Sequence, residues 1–186
     1  MNFSNNVIPK LAIGTAQFGM DYGVANKNGQ ISNRQMQNIL RLAQDYGIKS
    51  IDTAKDYGDC EFKLGKFKLQ NFDVSTKITN LSFCKNDVKD FLIKEVKNSL
   101  QSLNIKTLDT LLLHSSQDLL SFRKNEIYDS LSLCKSLNYC RKIGISSYAS
   151  QEVFEIIDNY EIDVVQFPLS VFNRDLLFSG LLSNLK

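Results

Sequence analysis

The spacing of apolar and polar positions changes period repeatedly along the chain. An apolar run from Val7 to Ile13, interrupted by Pro9 and closed by Gly14, predicts a short strand starting at Lys10 or Leu11. Residues 15–29 carry Gly19, Gly23 and Gly29 and read as a long loop. Met36, Ile39, Leu40 and Ala43 then recur at helical spacing, which predicts a helix over 33–46 with Ser32 as N-cap and Gly47 as its stop. A short strand follows at 48–52, then a helix over 60–69 with Phe62, Leu64 and Phe67 apolar. Residues 72–78 read as a strand. Residues 87–103 read as a helix that Asp87 can cap, with Val88, Phe91, Leu92, Val96 and Leu100 on its inner side. Strands at 108–113, 140–146 and 162–167 alternate with helices at 125–137 and 151–160, and Pro168 ends the last strand.

Six strands, five of them followed by a clear helix, predict a parallel sheet covered by helices. No linker-like segment divides residues 1–186, so one domain is expected. Two sheet types are compatible with this order. A doubly wound sheet announces its nucleotide site by a glycine-rich turn after the first strand. Gly14-Thr15-Ala16-Gln17-Phe18-Gly19 is not GxGxxG, and no phosphate-loop motif occurs. A (β/α)8 barrel instead gathers its site at the carboxyl ends of its strands. The polar outliers fall there: Asp52 and Tyr57 after the second strand, Lys77 on the third, His114 on the fourth, Ser146 on the fifth and Gln166 on the sixth. A barrel mouth brings such positions together, so the expected fold is α/β of the (β/α)8 TIM-barrel type.

Composition narrows the classes of function. The net charge of +2, with both signs interspersed, gives no basis for a nucleic-acid partner. No apolar run is long enough for a transmembrane helix. Residues 1–6 lack the basic and apolar regions of a secretory signal. Cys60, Cys84, Cys134 and Cys140 form no CxxC pair, and the single histidine, His114, lies far from all of them, so no metal site is expected. Free thiols fit a reducing, cytoplasmic setting.

Each polar residue at a strand end has an ordinary structural explanation. Asp52 can cap the following segment, Tyr57 can pack in a turn before Gly58, Lys77 can be a solvated strand end, and a lone His114 is most often a satisfied structural group. Ser146 and Ser147 can be turn residues, and Gln166 can satisfy a buried backbone group. Their joint placement on successive strands points to chemistry. A phenol has a pKa of about 10, and a neighbouring ammonium lowers it. A carboxylate can hold that ammonium, and a neutral imidazole can donate to a substrate oxygen. Such a set suits protonation of an oxygen that is gaining negative charge, as in hydride reduction of a carbonyl. A non-catalytic barrel with a binding or regulatory role is a second possibility. A lyase or isomerase using Lys77 as a Schiff base is a third, though Asp52 as partner would keep that amine charged.

The segment Asp52-Thr53-Ala54-Lys55-Asp56-Tyr57-Gly58 resembles the Asp-Thr-Ala-x-x-Tyr-Gly segment of the aldo-keto reductases. Lys77 in Ser75-Thr76-Lys77 and His114 after Leu111-Leu112-Leu113 resemble that family's lysine and histidine on the third and fourth strands. Gly144-Ile145-Ser146-Ser147 and Gln166 resemble its nicotinamide-amide segment, with Ser147 where many members have Asn. Residues 14–26 are similar to a bacterial subgroup often linked to surface-polysaccharide or nucleotide-sugar pathways. The resemblance implies a small-molecule carbonyl substrate and NADPH or NADH as hydride donor. It implies Tyr57 as general acid, Lys77 lowering its pKa, Asp52 pairing with Lys77, and His114 orienting the carbonyl oxygen. Gly14, Thr15, Asp52, Ser146, Ser147 and Gln166 would contact the cofactor. A complete barrel typically needs about 250 residues. Six strands in 186 residues are therefore expected to form an incomplete barrel, without strands seven and eight and with weak hold on the cofactor's adenosine phosphate end.

Overall fold

The computed structural model describes residues 11–79 and 81–185. Six strands, β1 (Ala12–Gly14), β2 (Ser50–Asp52), β3 (Asp73–Ile78), β4 (Leu108–Leu113), β5 (Cys140–Ser146) and β6 (Val164–Gln166), form one all-parallel sheet in the order β1-β2-β3-β4-β5-β6. A doubly wound sheet reverses its strand order at a switch point. Strictly sequential pairing is barrel topology, and the sheet is an incomplete (β/α)8 barrel of six strands. Of the predicted first strand, Val7 to Lys10 lie outside the described residues.

The register divides the strands into two faces. Ile51 pairs with Val74, Ile78 with Leu113, Leu111 with Ile143, and Leu113 with Ile145. All of these are buried, in one cluster with Leu92, Val96, Leu103, Leu131, Val153 and Ile156 from the helices. Burying each such side chain contributes about 1.5–3 kcal/mol. The opposite face carries Ser50, Asp52, Ser75, Lys77, Thr110, Gly144, Ser146 and Gln166. Polar chemistry therefore sits on the barrel's inner side, one position out of phase with the core.

The helices begin and end where short-range chemistry dictates. In α2 (Asn33–Asp45), the Ser32 hydroxyl accepts from the Gln35 amide and the Gln35 side chain returns to the Ser32 amide, a capping box. Gly47 follows in the left-handed region at φ +73°. Asp87 caps α4 (Val88–Leu103) through the Asp90 amide, and Asn104 ends it left-handed at φ 53°. Helices α5 (Lys124–Ser136) and α6 (Ser150–Ile157) match their predicted positions to within a few residues.

Two expectations need correction. The loop over 15–29 contains a one-turn helix, α1 (Ala16–Gly19), which buries Ala16 and Phe18; a single turn carries no periodicity to read. The helix predicted over 60–69 stops early, as α3 (Cys60–Leu64). It gives way at Gly65, where a Cβ would lie 1.9 Å from the Ser102 carbonyl oxygen of α4, so this close approach to α4 requires glycine. The chain closes with two further single turns, α7 (Asp175–Phe178) and α8 (Leu181–Asn184).

One close contact fixes the loop after β2. Gly58 has φ +59°, and a Cβ there would lie 2.4 Å from the Gly19 carbonyl oxygen. Gly19 in turn would place a Cβ 1.7 Å from the Tyr57 carbonyl oxygen. Gly47 has a similar φ but nothing within 4 Å. Gly47→Ala is therefore expected to cost about 1 kcal/mol, the left-handed penalty alone. Gly58→Ala should cost at least about twice that, read from urea unfolding midpoints at constant m; equal costs would show that α1 does not brace this loop.

Candidate active site

Register alone assembles most of the site. Gly14 pairs with Asp52, and Asp52 pairs with Ser75, two positions before Lys77. Lys77 pairs with Leu112, two positions before His114, and Leu112 pairs with Gly144, two positions before Ser146. Ser146 pairs with Gln166. With side chains alternating, all of these positions share one face at the carboxyl ends of the strands. Asp52, Tyr57, Lys77, His114, Ser146 and Gln166 line one cleft of about 260 Å³, with Tyr148, Phe167 and Pro168. Gly14 shares the face but does not line the cleft. Two larger hollows lie elsewhere, about 780 Å³ beside residues 157–165 and about 400 Å³ at the amino ends of β3 and β4. Neither contains this constellation, so size does not select the site.

At the centre is an ion pair. The Lys77 ammonium is 2% exposed and donates to Asp52 Oδ1 at 2.7 Å, Asp52 Oδ2 at 2.8 Å and the Thr53 carbonyl at 3.0 Å. An ammonium has three N–H donors, and all three are engaged. The Asp52 carbonyl accepts from both the Thr15 amide (3.1 Å) and the Thr15 hydroxyl (2.9 Å). Beyond β2 the ladder continues: the Thr53 amide donates to the Ser75 carbonyl and the Lys55 amide to the Lys77 carbonyl. The Tyr57 loop thus leaves β2 still attached to β3. Below it, the Cys60 thiol donates to the Thr15 carbonyl at 3.3 Å and takes the Thr53 hydroxyl's bond at 3.4 Å; burial raises that thiol's pKa.

Tyr57 and His114 stand over this pair. Lys77 Nζ lies 5.4 Å from the Tyr57 ring centroid. The rings of Tyr57 and His114 meet edge to face, with centroids 5.9 Å apart and planes at 79°. The Tyr57 pKa is pushed up to about 12, first by burial and then by the Asp52 carboxylate. This reverses the expectation that Lys77 lowers it. The reason is geometric: the ammonium is neutralised by Asp52 and makes no hydrogen bond to the phenol, so the phenol feels a dipole rather than a free cation. His114 is held below its ordinary range by burial and by the Lys77 charge, with Asp56 acting against the shift. Both rings are therefore neutral near pH 7.

Two expected cleft residues do not face the cleft. Thr15 is fully buried, with its hydroxyl on the Asp52 carbonyl. Ser147 is 1% exposed and joins a polar knot, its hydroxyl 3.1 Å from that of Ser116 and donating to Glu152 Oε2 at 3.0 Å. Gln117 donates to the same carboxylate at 2.6 Å, and the Ser116 hydroxyl donates to it as well. Each of these is one position beyond a residue on the inner face, Gly14 or Ser146, and one step along extended chain turns a side chain to the other side. Tyr148 was missed: an exposed aromatic just past a strand end was the signal available for it. Asp56 was also missed; it lies inside the Asp52–Tyr57 segment, with its Oδ2 3.6 Å from His114 Nδ1. Among the described residues no His, Cys, Asp and Glu cluster suits a metal ion, and no helix is long and apolar enough to cross a membrane.

Sequential parallel strands, helices on one face and a polar cluster at the strand carboxyl ends define a barrel of the (β/α)8 class. Residues 10–182 match the model of the aldo/keto reductase family, and the chain belongs to that family. It is 24% identical to rhazimal reductase 2 of Alstonia scholaris, over 62% of this chain and 42% of that protein. An aldo-keto reductase structure from Pseudomonas aeruginosa superposes with a TM-score of 0.76 at 23% identity, covering 93% of this chain and 67% of that one. An aldo-keto reductase from Klebsiella pneumoniae in complex with NADPH superposes with a TM-score of 0.70 at 22% identity, covering 95% and 59%. The chain thus spans two-fifths to two-thirds of the length of these relatives.

Titration tests the electrostatics. Comparing the chain with Tyr57→Phe by phenolate absorbance should isolate one tyrosine titrating near 12. Asp52→Asn removes the opposing carboxylate and should move that midpoint down; no movement would refute the assigned cause. The sign for stability follows. An unfolded Tyr57 loses its proton near pH 10 and the folded one near 12, so this residue's contribution is complete below pH 10 and is lost as pH rises toward 12.

Proposed function

We propose that this chain carries the acid–base site of an NAD(P)H-dependent oxidoreductase that reduces an aldehyde or ketone to an alcohol. One observation carries the reading: the buried Lys77–Asp52 pair lies under the Tyr57 ring, and His114 packs edge-on to the same ring, beside one cleft. Family membership supports it.

The cofactor, when bound, supplies hydride to the carbonyl carbon. The residues present fit such a group. Ser146 and Gln166 are register partners that bring a hydroxyl and a primary amide to the cleft, complementary to the donor and acceptor of a carboxamide. Gly14, on the same face, has open space where a Cβ would stand. NADPH is the donor we favour, as in the Klebsiella pneumoniae complex, with NADH as the alternative.

The proton comes from the Tyr57 hydroxyl and goes to the carbonyl oxygen. A pKa of about 12 keeps the phenol protonated across the neutral range. Transfer is still downhill, because an alkoxide is far more basic than a phenolate. His114, neutral, orients the substrate oxygen, and Lys77 and Asp52 hold Tyr57 in place. A Schiff-base role for Lys77 conflicts with its three engaged N–H groups, since the amine has no free lone pair.

In the protein assayed with reduced nicotinamide and a panel of small aldehydes, Tyr57→Phe is expected to lower turnover by ~10²–10⁴. Cofactor binding, read by fluorescence, should be unchanged. Normal turnover in that variant would remove Tyr57 as the acid. Absence of turnover in the parent with every aldehyde, with cofactor still bound, would favour a binding role instead.

A further inference from the structure

A carbonyl seated between Tyr57 and His114 leaves the rest of its molecule against the other walls of the cleft. Those walls are Ser146, Tyr148, Gln166, Phe167 and Pro168, all uncharged. Among the described residues, Lys77 is the one cation that lines the cleft, and its three N–H groups are taken by Asp52 and the Thr53 carbonyl. Lys55, in the same segment as Tyr57, gives its ammonium to Glu95 of α4 at 3.0 Å. Neither amine has a charge to spare for a ligand.

The carboxylates are not balanced in the same way. Asp52 is matched by Lys77. Asp56 is a second carboxylate, standing behind His114 with its Oδ2 3.6 Å from Nδ1 and holding the Thr79 hydroxyl at 2.8 Å. No described lysine or arginine pairs with it. Two carboxylates against one ammonium leave the region a net negative charge, since both rings are neutral. The state of Tyr57 reports the same field: after burial, the Asp52 carboxylate is what raises its pKa. An anion entering here loses hydration, gains no counter-ion and is repelled by Asp56. An uncharged molecule loses little, and a flat or apolar body finds Tyr148, Phe167 and Pro168 to pack on.

We infer that the cleft selects uncharged carbonyl compounds with a flat or apolar body, and rejects those that carry a carboxylate or phosphate. Its discriminating features are the unmatched Asp56 and walls without an unpaired cation. That the selected molecules are substrates rests on the reductase reading; the charge preference in binding does not.

The probes are 4-formylbenzamide and 4-formylbenzoate, one shape without and with a negative charge. At low salt and about pH 8, where His114 is neutral, kcat/KM with reduced nicotinamide should favour the amide by ~10-fold. Salt at about 0.5 M should shrink that ratio by screening. Asp56→Asn should narrow it ~3-fold. The ring stays neutral in that variant, because Asp56 is what opposes the lowering of its pKa by burial and Lys77. Tyr148 is 75% exposed, so a lysine there is tolerated by the fold, and Tyr148→Lys should bring the ratio to about one or below. A parent that turns over the benzoate as well as the amide overturns the inference, as does a ratio that Tyr148→Lys leaves unmoved. Binding is read separately, because His114 is the chain's only histidine and can be labelled with carbon-13 as a reporter. If neither probe is reduced but the amide shifts the His114 signals at lower concentration than the benzoate, the reductase reading fails and the charge selection stands. Equal shifts with both probes, or none with either, overturn the selection too.

Discussion

The Lys77 ammonium is the constraint on which the rest of the site depends. Burying an ammonium costs several kcal/mol unless its charge and all its protons are satisfied. Here three N–H groups meet three acceptors, two on Asp52 and one on the Thr53 carbonyl. Those acceptors lie at the end of β2, and Lys77 lies near the end of β3, so the pair holds two strand ends together. Thr15 extends the clamp to β1, with two bonds to the Asp52 carbonyl. Three strands thus end in one rigid corner. The loop that presents Tyr57 starts from that corner and is braced below by the Gly19–Gly58 contact. Removing either charged partner would leave the other buried without compensation, which is costlier than never having had the pair.

That neutralised pair also explains the state of its neighbours. A lone ammonium would draw the phenol toward ionisation. A clamped one leaves burial and the Asp52 carboxylate in control, and the Tyr57 pKa rises to about 12. His114 moves the other way, for burial and Lys77 both disfavour its cation. An acid with a raised pKa and a base with a lowered one are both neutral, so the cleft presents two uncharged rings above an internally balanced pair.

Much of this was legible in the sequence because strand ends and helix periodicity are local signals. Ser32, Gly47 and Asp87 mark helix ends by side-chain chemistry that acts over three or four residues, and they act as read. Asp52, Lys77, His114, Ser146 and Gln166 were found because each polar residue interrupts or closes an apolar strand. The two displaced site residues share a cause: facing is set by register. Thr15 and Ser147 look as suitable as their neighbours in sequence, but parity turns them beneath the sheet ends. The sign of the Tyr57 shift was missed because it depends on whether Lys77 has protons to spare, which only the distances to Asp52 and Thr53 reveal.

The residue at 147 shows how one inward turn shapes the cleft. The Ser147 hydroxyl, with Ser116, Gln117 and Glu152, ties the start of α6 to the turn two residues past His114. A buried network of this kind rigidifies only when every member is satisfied, and each hydroxyl here has a carboxylate oxygen within reach. The knot therefore fixes the backbone on both sides of the cleft, next to His114 just past β4 and next to Ser146 on β5. It also leaves Ser146 and its register partner Gln166 as the polar side chains that β5 and β6 offer to the cleft. Their spacing is that of adjacent parallel strands, drawn close where Gly144 lets the Val164 carbonyl approach to 2.0 Å from the position a Cβ would take. Any side chain at 144 would push β6 outward and separate the two groups, so the geometry of this wall depends on a residue that does not itself line the cleft.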